Sequence, residues 1–84
     1  MSKQKENTVY VPIVSIESEH GASIINRTLS QIEGLDYHAV ELNNLRAVLK
    51  FKEAEVLQKA VYAIRKMGYE VVSVKKNYPV LGLN

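Results

Sequence analysis

Ile16-Glu17-Ser18-Glu19-His20-Gly21 is the stretch on which the reading of this chain turns. It joins an apolar alternating run to a helical pattern. Upstream, Val9, Val11 and Ile13 alternate with Tyr10, Pro12 and Val14, which predicts a strand over Thr8 to Ser15 with two distinct faces. Pro12 has no N–H, so this strand is expected at a sheet edge, or with that position turned toward a gap in the ladder. Downstream, Ala22, Ile25, Leu29 and Ile32 share one face of a helix from about Glu19 to about Ile32. Ser18 is a favoured N-cap for that helix, and Glu17 and Glu19 complement the positive end of its dipole. Gly34 is placed to close it in a left-handed conformation.

Beyond Gly34 the pattern continues as strand, strand, helix, strand. Tyr37 to Asn43 puts His38, Val40 and Leu42 on one face. Asn43-Asn44 is a turn signal, because asparagine tolerates positive φ. Leu45 to Phe51 returns with Ala47, Leu49 and Phe51 inward. Val56, Leu57, Ala60, Val61, Ile64 and Met67 give a second helix, about Glu53 to Met67, a broad apolar face ended by Gly68. Tyr69 to Lys75, dense in valine, completes a β-α-β-β-α-β order. That order predicts an α+β, ferredoxin-like open sandwich, with a four-stranded antiparallel sheet and both helices on one face. Its core is expected to hold Val11, Ile13, Ile25, Leu29, Val40, Leu49, Phe51, Ala60 and Ile64.

A chain of 84 residues makes one domain. Residues 1–7 read as a polar, disordered tail and 8–76 as the folded domain. Residues 77–84 form an apolar tail, in which Tyr78 and Leu81, with Ile24 on the first helix, are candidate interface residues. The polar start has no apolar signal core, which points to the cytoplasm. No apolar run reaches the roughly 18 residues of a membrane span. A net charge of +2 does not suggest nucleic acid or an acidic membrane as partner. The absence of cysteine excludes disulfides, thiolate metal sites and cysteine nucleophiles. No nucleophile elbow, glycine-rich phosphate loop or HExxH motif is present, so no enzymatic activity is expected.

Three stretches carry a specific resemblance. They are Ile16 to Leu35, the hairpin Val40 to Phe51, and Ala63-Ile64-Arg65-Lys66-Met67-Gly68-Tyr69-Glu70-Val71. Together they resemble the heavy-metal-associated domains, the family of copper chaperones and metal-ATPase N-termini, over about Val9 to Val74. In that family the loop reads Met-x-Cys-x-x-Cys and holds the metal. Ile16 matches its methionine, and Ser18 and Gly21 match its two cysteines. Leu29 matches the helix leucine, and Gly68-Tyr69 the Gly-Tyr pair near the end. The resemblance implies that Tyr69 leans over the loop.

Cu(I) prefers soft thiolates, and neither serine nor glycine supplies one. The first reading is therefore a domain without the thiolate site that works through contacts with a protein partner or a second copy of itself. A second reading keeps a divalent transition metal (Zn, Ni or Co) on His20 with Glu17 or Glu19. A third is a small-ligand regulatory domain of the ACT type, to whose ligand loop Glu19-His20-Gly21-Ala22 is similar. His38, on the inward face and expected far from the loop, reads as a packed histidine. The RNA-binding sandwich of the same topology needs an aromatic-rich third strand. Leu45 to Phe51 offers one aromatic, and that one faces inward.

Overall fold

Val9 and Val11 lie on the covered face of β1 (Asn7–Pro12) in the computed structural model, which describes residues 5–72. The chain then forms α1 (Glu19–Leu29), β2 (Leu35–Glu41), a short 3-10 turn (Leu42–Asn44), β3 (Arg46–Phe51) and α2 (Ala54–Lys66). The sheet is antiparallel, in the order β1-β3-β2. Ile25 and Leu29 of α1, and Val56, Leu57, Ala60 and Ile64 of α2, join Val9, Val11, Ala47, Leu49 and Phe51 in one core. Both helices thus cover the same face of the sheet. Each large apolar side chain fully removed from water there contributes about 1.5–3 kcal/mol.

The expected core is buried except at Val40, which is half-buried on β2, the outer strand among the described residues. No described helix covers the other sheet face. It carries Tyr10 and Tyr37, with the Arg46 guanidinium 4.3 Å from the first ring's centre and the Lys50 ammonium 5.3 Å from the second's.

Five details differ from the sequence expectation. The described sheet has three strands rather than four. Beside β1 there is a single antiparallel bridge, Ile13 to Val71, and Ser73 to Lys75 lie outside the described residues. The first strand ends at Pro12, not Ser15. Pro12 C=O accepts the Val72 N–H at 3.2 Å, but its ring nitrogen has no hydrogen to return. The first helix ends at Leu29, three residues early, and Gly34 takes its positive φ of 99° in the turn that follows. In the hairpin the left-handed residue is Leu45 (φ 52°), not Asn43 or Asn44. A 3-10 turn moves that position one residue on, and the Asn44 amide instead donates to Glu41 Oε1 at 2.8 Å. β2 correspondingly runs from Leu35 to Glu41, two residues earlier than expected at each end.

Among the described residues, no helix is long and apolar enough to cross a membrane.

Candidate functional site: the loop before α1 and the groove beside it

Ser18 stands in extended conformation before α1, with φ −157° and ψ 167°. Its Oγ accepts the Gly21 N–H at 3.3 Å, which satisfies one of the four first-turn donors that a helix leaves without partners. Its carbonyl accepts the Ala22 N–H at 3.1 Å. Glu19 lies in the first turn, where its charge complements the helix dipole. The loop is anchored from below by Ile16, which is buried in the core.

Two further bonds bring the stretch after α2 beside this loop. Val14 N–H donates to Glu70 C=O at 3.1 Å, and Glu70 N–H donates to Ser15 Oγ at 2.8 Å. They hold Tyr69 over the start of α1. A Cβ on Gly21 would lie 3.0 Å from Tyr69 Oη and 3.8 Å from the ring. Gly21 is buried and Tyr69 half-buried against the core. A side chain at position 21 would therefore press on the phenol, which would have to give by a few tenths of an ångström.

The loop's donor set does not fit Cu(I). Ser18 offers a hard hydroxyl, Gly21 offers no side chain, and the side chain that packs beside Gly21 is a phenol. Glu17, Glu19 and His20 are all exposed. Among the described residues, no three of His, Cys, Asp or Glu gather into a group that could hold a metal ion. Ile24 is half-buried, and Tyr78 and Leu81 lie outside the described residues.

His38 is placed differently from the expectation. It does not lie far from the loop region, since it shares with Glu19 a groove between α1 and β2. The strand order brings β2 against α1, and the hydrogen bond between His38 Nδ1 and Asn26 Oδ1, 2.7 Å long, ties the two together. Ala22, Ser23, Ala39, Val40 and Leu42 complete the lining. The groove went unread in the sequence, although Glu19, Ser23 and Asn26 form a polar stripe at helical spacing beside the apolar one.

At the far end of β2, the Asn44 amide and the Arg46 guanidinium both donate to Glu41. They hold its carboxyl below the usual carboxylate range.

No family model and no curated protein matches the sequence of this chain. Solved structures do resemble it. The chain is similar to oxidized MerP from Ralstonia metallidurans CH34, with 25% identity and a TM-score of 0.73, over 84% of this chain and 99% of that one. It is also similar to the CsoZ metallochaperone, with 16% identity and a TM-score of 0.73, over 82% of this chain and 100% of that one. Each neighbour is covered almost end to end, so the likeness is between whole domains. With both helices on one face of an antiparallel sheet and a capped loop leading into α1, the architecture of this chain is the heavy-metal-associated, ferredoxin-like fold.

Proposed function

We propose that this chain is a non-enzymatic domain of metallochaperone type that has exchanged its thiolate site for a sealed helix start and acts by binding a protein partner. The observation that carries this reading is the packing of Tyr69 Oη against Gly21, 3.0 Å from where a side chain there would begin. A cysteine at position 21 would have to press that phenol back by a few tenths of an ångström, and no thiolate stands at either loop position. Ser18 spends its oxygen on capping α1. The likeness to the CsoZ metallochaperone supports a metal-handling ancestry for the fold. What remains for recognition is the surface of α1 and the groove beside it.

A competition titration of Cu(I) against a chromophoric chelator tests the reading. The unmodified chain is expected to leave the chelator loaded. The double variant Ser18→Cys, Gly21→Cys is expected to strip Cu(I) from it, once Tyr69 yields by a few tenths of an ångström to admit the new side chain. Chelator-competitive Cu(I) binding by the unmodified chain overturns the proposal.

A further inference from the structure

The outer side of β2 is unpaired among the described residues, and the ladder's phase shows which backbone groups face outward. Ile13 N–H donates to Leu45 C=O at 2.7 Å. Antiparallel pairs alternate between bonded and non-bonded. In the register Val11 to Ala47 and Val9 to Leu49, the backbone groups of Ala47, Leu49 and Phe51 therefore turn toward β1. Those of Arg46, Val48 and Lys50 turn toward β2, onto Glu41, Ala39 and Tyr37. The N–H and C=O groups of His38 and Val40 then point away from the sheet.

Edge strands in natural proteins are blunted by lysine, proline or bulges. β2 has an irregularity between Leu35 and Tyr37, but no lysine or proline from Tyr37 to Glu41. Such an edge specifies its own ligand, since a row of outward N–H and C=O groups is satisfied by another extended backbone.

The groove beside the edge adds charge and size selection. It has a volume of about 480 Å³ and is lined by the small residues Ala22, Ser23 and Ala39 and by apolar Val40 and Leu42. Among the described residues its one acid is Glu19, and no lysine or arginine lines it.

We propose that the β2 edge and the α1–β2 groove bind an extended segment of a partner protein by strand addition, one with lysine or arginine at alternate positions. Successive side chains of an added strand point to opposite faces. The basic set would enter the groove toward Glu19, and the intervening apolar set would lie on the other face beside Tyr37. This names the partner chemistry of the interaction reading above and rests on it.

The test uses the full 84-residue chain, isotope-labelled, and a blocked seven-residue peptide of alternating lysine and valine. The peptide is expected to produce saturable amide shifts and to slow hydrogen exchange at His38 and Val40. A glutamate–valine peptide is expected to do neither. Glu19→Lys should weaken binding about fivefold, the scale of one exposed charge pair. Val40→Pro should abolish it, because it removes an outward N–H and leaves the bonds to β3 in place. Should Val40→Pro fail to fold, Glu19→Lys carries the test.

A lysine–valine peptide that leaves the His38 and Val40 amides unprotected overturns the proposal. So does protection of those amides in the free chain. If it is independent of concentration, the chain covers its own edge; if it rises with concentration, a second copy does. Failure here leaves the Cu(I) result standing, and Cu(I) binding by the unmodified chain would leave the edge chemistry standing, so the two readings fail separately.

Discussion

Tyr69 and Gly21, 48 positions apart by their numbers, are packed so closely that a single methyl group on the glycine would sit 3.0 Å from the phenol oxygen. Gly21 lies inside α1, where glycine is intrinsically about 1 kcal/mol worse than alanine. The contact supplies the reason a glycine is tolerated there, and it yields the first prediction. Gly21→Ala should be near neutral or destabilising in the unmodified chain, because helix propensity gained is offset by displacing the phenol. In a Tyr69→Phe background the same change should stabilise by about 0.5–1 kcal/mol. Urea unfolding of the four chains gives the coupling directly. A coupling of zero would mean that the hydroxyl does not obstruct position 21.

Ser18 caps α1 through the Gly21 N–H. Ser18→Ala should cost about 1 kcal/mol and Ser18→Gly only a few tenths, measured as shifts in the denaturation midpoint. Equal losses would indicate that the backbone conformation at this position, rather than the hydroxyl, sets the stability.

Gly34 and Gly68 share a positive φ, 99° and 100°, but not their surroundings. A Cβ at Gly34 would meet Val56 Cγ2 at 2.6 Å, whereas one at Gly68 would meet nothing within 4 Å. Both alanine variants should carry the backbone penalty of about 1–2 kcal/mol. Gly34→Ala should lose more, and Val56→Ala should restore part of the excess to it and none to Gly68→Ala. Thermal melts of the single and paired variants check this, and equal losses at the two glycines would contradict it.

Glu41 receives hydrogen bonds from Asn44 and from Arg46, the latter at 2.6 Å, and its carboxyl titrates below the usual range. A folded-state value below the unfolded one means that this group's contribution is present above the unfolded value. That contribution is lost as pH falls through the folded value. The pair is partly exposed, so the effect on stability should be small and weakened by salt. The sharper readout is the carboxyl carbon shift. Its midpoint should rise toward the ordinary value in Asn44→Ala and again in Arg46→Met. An unchanged midpoint in both variants would show that these donors do not hold the charge.

Periodicity alone identified both helices, the β-α-β-β-α order of the described elements and nearly all of the core. These are set by which residues must leave water, and that is written in local spacing. The alternation of Val9, Val11 and Ile13 and the stripe of Ile25 and Leu29 needed no partner to be legible. The N-cap at Ser18 was equally local, because its hydroxyl bonds a residue three positions on. Element ends were less legible. Leu45, rather than an asparagine, took the left-handed position because the connection between Glu41 and Arg46, with its 3-10 turn, is four residues long, two more than a two-residue hairpin.

Only the tertiary structure could decide what surrounds the loop. Tyr69 closes on Gly21 because Val14 and Ser15 bond Glu70 from the other end of the chain, and no local pattern encodes that distance. The groove is of the same kind, since Glu19 and His38 share it through the strand order that sets β2 against α1. The sequence determined that the loop has no soft ligand, for that is a matter of composition. The fold decided that a phenol packs beside Gly21 and that, among the described residues, the outer edge of β2 next to α1 is unpaired. Both depend on which distant segments the core draws together.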